Sequence, residues 1–554
     1  MFKQTKKRCF SPVDALIDGK KRFMQLFDLL GWKFLVITLL VEHVLQAFIA
    51  GGGSGGLIGA PILLILSTFN LPATRMQVLE TVSVSAWQLK PLIGILSDSV
   101  YIGGYSRMPF IIITSLLGIG SALALVSFYP VTPVIFVAFL FFIFLQISTS
   151  DLLLEARYVE KTKGNPATRP TLYSFVHFLS GFCQLLSTVV IGFIISYHFP
   201  LHWLYLTPVL PFFILAILVF ANWTGESLYG EPRPLTNLLC KCCRFREYNE
   251  SFTEHTEIPI IGMDTAKVQE NWRIFLLALI IGVISVFTSM LGIFELSATY
   301  LFITSVASEI IMIISFFMLL ERRIAKVLTF VVAQNMFSIS LRAATFFFYT
   351  DPVEAYPEGP HFSRQFYVSV MGGLGIIVSL LAVFIYSIFM YNWRFRSIFW
   401  VTGVLFIITC IPNIFLFKRW NVAWGIPDTV FVLGSEVIQV VVGQLNSMPL
   451  GIIMLSLCAQ GLEASHYSIM AGSNNIGNAF ASYKGAAVLE WLDIKPSGNL
   501  SGESAQFDNL YLASTISLVI QVIPLVLTFF LIPDNKQTDD LLEEIEEEEA
   551  ASGL

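Results

Sequence analysis

MPFIIITSLLGIGSALALVSF, residues 108–128, decides the fold, because it carries no charged side chain over a length that crosses hydrocarbon. A helix rising 1.5 Å per residue needs about 20 such residues to span the roughly 30 Å apolar core of a bilayer. Nearly charge-free stretches return at Arg273 to Phe294 and at Ser397 to Phe417. A soluble core helix is not apolar on all sides that often. The whole chain agrees: of 554 residues, 55% are hydrophobic, 13% are charged and 49 are Phe, and the mean hydropathy is +0.73. Soluble domains carry about a quarter charged residues. The fold class is therefore an all-α polytopic membrane protein, with the lipid bilayer as its solvent.

Scanning outward gives about 14 transmembrane segments, at roughly 34–68, 76–98, 108–128, 132–157, 172–198, 201–221, 274–294, 297–320, 326–349, 365–391, 397–418, 428–457, 463–490 and 509–532. The first is too long for one straight helix and is interrupted by Gly51, Gly52, Gly53, Gly55, Gly56 and Gly59. Charge parity resolves it. With one crossing, 25 of the 33 Lys and Arg fall on the N-terminal side; Arg75, Arg364, Lys418, Arg419 and Lys495 lie opposite, and Lys90, Arg342 and Lys484 lie inside spans. With two crossings the split becomes 13 against 17 and the bias vanishes. One crossing puts both termini in the cytosol, and the glycines then mark a broken or closely packed span.

The expected organisation is a basic cytosolic N-terminus (1–33), a six-helix lobe (34–221), a cytosolic central loop (222–272), an inserted helical pair (273–320), a second six-helix lobe (321–533) and an acidic cytosolic tail (534–554). Six plus six helices around an added pair is a major-facilitator-like two-lobed bundle with its site between lobes. The N-terminus lacks the pattern of a cleaved secretory signal. The tail supplies much of the net charge of -6. The seven cysteines lie in apolar runs or cytosolic segments, so no disulfide framework is indicated, and Cys240, Cys242 and Cys243 lack a second zinc-ligand pair. Asn499-Leu-Ser501 fits a glycosylation sequon on the exterior. The glycine run has no phosphate-loop lysine, and no metal-spaced cluster or nucleophilic triad stands out. The chain reads as neither an enzyme nor an ATP-driven pump, with no cofactor, metal or nucleic-acid partner expected.

A second set of residues carries a resemblance. Trp87-Gln-Leu-Lys90-Pro91-Leu-Ile-Gly94-Ile-Leu-Ser97-Asp98, with Gly104-Tyr105-Ser-Arg107 behind it, is similar to the folate-biopterin transporter family. So are Phe346-Phe-Phe-Tyr349-Thr-Asp351, Tyr356-Pro-Glu-Gly-Pro-His361, Gly425-Ile-Pro-Asp428, Val432-Leu-Gly434-Ser, Gly461-Leu-Glu463-Ala-Ser, Asn475-Ile-Gly477-Asn478 and Leu531-Ile-Pro-Asp534. The resemblance runs from about residue 40 to 542 in unbroken order. The sequence departs from many relatives at Met108, where they have a second basic residue. The resemblance implies major-facilitator architecture and uptake of folates or pterins, driven by protons; the expected location, separately, is the plasma membrane. Some members carry S-adenosylmethionine instead, and a non-transporting nutrient sensor is a further alternative.

Ionisable groups inside spans cost roughly 2.5 to 3.5 kcal/mol each on insertion scales, so they need partners or water. By depth, Lys90, Asp151 and Glu155 fall in the cytosolic half of the first lobe. Asp151 and Glu155 are four apart and share a helix face, which favours a Lys90–Asp151 contact, either as a static pair or gate latch or as a site of proton handling. Asp98 and Arg107, flanking a short cytosolic loop, are read as gating residues. Arg342 and Lys484, in the second lobe, suit a multivalent anion such as folate, or else pair with Glu436. Glu436 or Glu42 suits the parallel N–H donors of a pterin. His43, Glu80 and Glu309 are further buried candidates.

Overall fold

The computed structural model describes residues 27, 28, 30–53, 55–162, 169–226, 261–294, 296–390, 392–457, 462–498, 502–537 and 539. Most of the central loop with Cys240 to Cys243, most of the basic N-terminus, the Asn499 sequon and residues 540–554 of the acidic tail lie outside the described residues. Helices dominate, in the order α1 (Trp32–Ala50), α2 (Gly56–Ser67), α3 (Ala73–Ser83), α4 (Lys90–Ser99), α5 (Met108–Phe128), α6 (Pro133–Thr162), α7 (Arg169–Ser196) and α8 (Leu201–Phe220). There follow α9 (Trp272–Ile293), α10 (Ala298–Leu319), α11 (Arg322–Met336), α12 (Arg342–Thr350), α13 (Phe366–Met390), α14 (Phe395–Phe417), α15 (Asp428–Ser456), α16 (Glu463–Trp491), α17 (Leu510–Ile520) and α18 (Val522–Leu531).

Eleven of the described helical segments are long and apolar enough to cross a membrane. Three expected segments fall short for physical reasons. The one at 76–98 breaks into α3, a tight turn at Ser85–Leu89 and α4, where Pro91 occupies the first helical turn and its missing N–H costs nothing. The one at 326–349 breaks at residues 337–341 between α11 and α12. The one at 463–490 is continuous as α16 but rich in Ser, Asn and Gly. The glycine run also breaks the chain as expected. Gly51, Gly52 and Gly56 take φ of 56°, 68° and 62°, and a Cβ on Gly56 would collide with the backbone of Ile49 and Gly51.

One feature lies outside an all-α description. Val100–Ile102, directly after α4, pairs antiparallel with Ile261–Met263, just ahead of α9. This short ribbon joins the end of α4 to the start of α9.

Helix α16 is the hub, packing on α3, α4, α9, α10 and α11. Small residues permit that approach: Gly472 meets Pro91, Gly477 meets Asn335 and Gly485 meets the Ser340 carbonyl. On the other side of the seam α7 packs on α1 and α13, and α15 packs on α13 and α14. Outward faces carry apolar side chains such as Leu116, Phe193, Phe384 and Phe530, which suits contact with lipid tails.

Beyond the apolar part of α6, Glu160 accepts a bond from Arg107 Nη1 at 3.0 Å and pairs with Arg157. Burial alone pushes this carboxyl up, but the two guanidiniums outweigh it and bring it from 4.5 down to about 2. A carboxyl lowered by folding contributes stability that is present above its unfolded value and lost as pH falls toward the folded one. Thermal unfolding of the purified protein should therefore shift down by several degrees between about pH 5 and pH 3. Glu160→Gln, with no proton to gain, should flatten that dependence, and an unchanged slope in the variant would remove Glu160 from the acid response.

Candidate functional site: a charged cavity between the lobes

A cavity of about 790 Å³ opens where α1, α4, α6 and α7 face α12, α15 and α16. Within it Lys90 Nζ lies 2.6 Å from Asp151 Oδ2 and 3.2 Å from Glu155 Oε2. The four-residue spacing on α6 aims both carboxylates at one ammonium, as the sequence led us to expect. Tyr467 of α16 donates its hydroxyl to Glu155 Oε1 at 2.7 Å, so the cluster reaches across the seam. Glu42 lines the same cavity, and its Oε1 is buried with no hydrogen-bond partner among the described residues. Glu42 thus stands with Lys90, Asp151 and Glu155. His43 is bonded to the Ser180 hydroxyl at 3.0 Å, a satisfied buried imidazole.

Arg342 enters the cavity from the break in the second lobe. Its side chain is 40% exposed to the void, and its Nε lies 3.3 Å from Glu80 Oε1 of the first lobe. A second cavity of about 710 Å³ meets the first at Gln184, Ser338, Ser340 and Arg342, and Glu436 lines it. Arg342 thus stands at the junction of the two chambers. The structure pairs it with Glu80 and leaves Glu436 in the second chamber.

The break itself is held by bonds from outside its own helix. Ser340 N–H donates to Ala481 O at 3.1 Å, and Gln77 Nε2 donates to Ser340 O at 2.9 Å and to Ser482 O at 2.7 Å. Ser517 Oγ donates to Ile339 O at 3.3 Å. Lys484 Nζ donates to Asn335 O and Met336 O, the last carbonyls of α11, at 3.1 and 2.6 Å. Its charge is answered by Glu309 of α10 at 2.8 Å. Lys484 lines neither cavity, so the structure does not bring it to Arg342 as a second anion contact; it acts as a cap on a broken helix.

At the loop end of the bundle Asp98 accepts from both the N–H and the hydroxyl of Ser465, each at 2.8 Å, a bond between lobes. Arg107 sits 4.0 Å from Asp98 and closer to Glu160. Glu226 accepts backbone N–H bonds from Ser106, Arg107 and Met108, at 2.8, 2.8 and 3.0 Å, neutralising the start of α5. Sequence reasoning passed over Gln77, Glu226, Ser465 and Tyr467. Three are uncharged, and none has a local pattern that announces a distant partner.

A helical bundle around a polar, charged cavity has the major-facilitator architecture, and comparison with solved structures agrees on that fold. A proton:xylose symporter of that superfamily matches with a TM-score of 0.52 at 12% identity, covering 91% of this chain and 97% of its own. A second structure, a D-xylose-proton symporter, matches at 0.52 and 15% identity over 90% and 97%. At such identities the likeness concerns the fold. The chain belongs to the BT1 family, whose profile matches residues 60–551. Probable folate-biopterin transporter 2 of Arabidopsis thaliana is 21% identical over 97% of this chain and 93% of its own. Probable folate-biopterin transporter 6 of the same plant is 22% identical over 82% and 75%. The folate-biopterin transporter of Synechocystis is 27% identical over a shorter stretch, 30% of this chain and 32% of its own. The protein is a transporter and not an enzyme.

If Lys484 caps α11, removing it leaves a buried Glu309 carboxylate and two carbonyls unanswered. Breaking one side of a buried pair costs about 3 to 5 kcal/mol. Lys484→Met should lower the melting temperature of purified protein well beyond Glu490→Gln, measured by tryptophan fluorescence. Adding Glu309→Leu to Lys484→Met should restore part of the loss. A double variant less stable than either single variant would argue against the pairing.

Proposed function

We propose that the protein is a secondary carrier that takes up folate- and biopterin-type pteridines together with protons, by alternating access. The observation that carries this reading is the charge balance of the joined chambers: among the described residues, Glu42, Glu80, Asp151, Glu155 and Glu436 face only Lys90 and Arg342 as fixed cations. An anionic substrate enters a net-negative, poorly solvated space favourably only when protons accompany it. Arg342, at the chamber junction, is the residue for the acidic end of folate. Glu436, or Glu42, is the acceptor for pterin N–H donors, and Lys90 with Asp151 and Glu155 handles coupling. The names of the Arabidopsis and Synechocystis relatives support the substrate class.

Two inter-lobe bonds at opposite ends of one seam support alternating access. Asp98 to Ser465 closes the loop end, with Arg107 beside it, and Gln77 to Ser340 and Ser482 closes the region beyond Arg342. Only one need open at a time. The excess of carboxylates also favours a second reading, since a cation such as S-adenosylmethionine would meet complementary charge. Radiolabelled uptake of folate, biopterin and S-adenosylmethionine in a null background separates the two readings. Binding without uptake of any of them would identify a sensor.

Arg342→Gln should weaken folate binding about tenfold or more, since a hydrogen bond to a charged group is worth about 1.5 to 3 kcal/mol. Biopterin, which lacks the glutamate carboxylates, should be affected little. Asp151→Asn should reduce proton-driven uptake into vesicles while leaving equilibrium binding within a few fold. Equal losses of folate and biopterin binding in the Arg342 variant would reduce that residue to a partner of Glu80.

We propose that both termini lie in the cytosol, on the support of the one-sided distribution of Lys and Arg. Epitope tags at either end should be reached by antibody only after permeabilisation. Labelling of intact cells at either terminus would invert this topology.

A further inference from the structure

Where α11 and α14 begin and α18 ends, a crevice of about 210 Å³ is lined by Arg323, Lys326 and Arg396, with Phe530, Leu531 and Asp534 beside them. It is remote in the chain from every residue assigned to transport above. Asp534 is paired with Arg394, so the acid on the crevice wall is already answered. Arg396 spends its Nε and one terminal nitrogen on Ile532 O, at 3.1 and 2.9 Å, which fixes the guanidinium at the crevice edge. Lys326 makes no ion pair among the described residues. Arg323 and Lys326 are three apart on α11, hence on one face, and both lie near the start of that helix, where the backbone also favours negative charge. The outward flank is apolar: Val526, Phe529 and Phe530 of α18 are 52%, 50% and 68% exposed.

Three cations gathered at the end of membrane-spanning helices, against an outward apolar face, match an amphiphile with a negative head. A free oxyanion would use only the cations. A phospholipid uses both surfaces, with its phosphate among Arg323, Lys326 and Arg396 and its chains along α18. We propose that this crevice is a binding site for the headgroup of an anionic phospholipid. The site stands on its own charges and its position at the bundle end, and it is independent of which solute the cavity carries.

The test is thermal unfolding of the full chain in an uncharged detergent, titrated with dioleoyl phosphatidic acid, dioleoyl phosphatidylcholine or inorganic phosphate. Phosphatidic acid should raise the melting temperature by several degrees, and the other two should have little effect at the same concentration. The double variant Arg323→Gln with Lys326→Gln should need about tenfold or more phosphatidic acid for the same shift, because each charge-assisted hydrogen bond is worth about a factor of ten. Lys326→Arg should keep the response, and so should Lys495→Gln, which removes a cation at the far end of α16. Melting without lipid, measured on each variant, separates lost binding from lost folding. Equal stabilisation by phosphatidylcholine, or an undiminished response in the double variant, would overturn the proposal. An equal shift with inorganic phosphate would assign the crevice to a free oxyanion. A response that emerges only after deletion of residues 540–554 would make the acidic tail its occupant.

Discussion

A peptide group that leaves helical geometry inside hydrocarbon must find its hydrogen bonds within the protein, and residues 337–341 make that demand at the centre of this fold. Much of the second half of the chain is arranged to meet it. Ala481 of α16, Ser517 of α17 and Gln77 supply partners to the break itself, and Lys484 of α16 caps the carbonyls of Asn335 and Met336 that lead into it. Only a helix of small residues approaches closely enough, which is why α16 is poor in bulky aliphatics and falls below the hydropathy of a membrane span. The break in turn ends with Arg342 as the first residue of α12, so the exposed guanidinium at the chamber junction is a product of backbone geometry. A continuous helix would remove the irregular backbone that lets Ser338 and Ser340 line both chambers.

The second constraint is charge. A buried ion pair is weak evidence for stability because desolvation offsets attraction. The cluster of Lys90 with Asp151, Glu155 and Tyr467 is better understood through its position, facing solvent-sized space across a seam between lobes. Water or a ligand restores part of the solvation that the bilayer withholds, so such groups persist at a cavity wall where they would not persist against lipid. Glu42, with one oxygen unanswered, marks where that compensation has to come from the cavity's contents.

Much of this was legible in sequence, for identifiable reasons. Uncharged runs give the fold class, the i,i+4 spacing gives the Asp151 and Glu155 face, and glycines in left-handed conformation give the break after Ala50. Depth counting reads Arg342 as a ligand contact, and Arg342 lines both chambers. It failed for Lys484 because depth says nothing about azimuth: at a similar depth, Lys484 turns toward α10, and its partner Glu309 belongs to a helix the chain reaches only through the inserted pair. Glu42, read from its chemistry as an acceptor for pterin N–H donors, lines the first chamber together with Arg342. Gln77 was missed because a search for charges passes over an amide whose value lies in its two distant carbonyl partners.

Helices α9 and α10 are bonded to both sides of the bundle, and the kinds of bond differ. Toward the first lobe, Arg75 donates to the carbonyls that end α9, at 2.7 to 3.2 Å, and Ser285 donates to Gln88 O at 2.8 Å. Toward the second lobe, α10 is held by the buried Lys484–Glu309 pair, by Glu490 accepting from Ala298 N–H at 2.9 Å and by Trp491 donating to Thr299. Separating a buried ion pair costs far more than exchanging one carbonyl acceptor for another. The first side is not held by carbonyl acceptors alone: Val100–Ile102 pairs with Ile261–Met263 ahead of α9, Lys267 donates to Asp98 O at 2.9 Å, and Gly282 meets Leu92 and Gly292 meets Val82 at close range, so α9 is fastened to α3 and α4 as α10 is to α16.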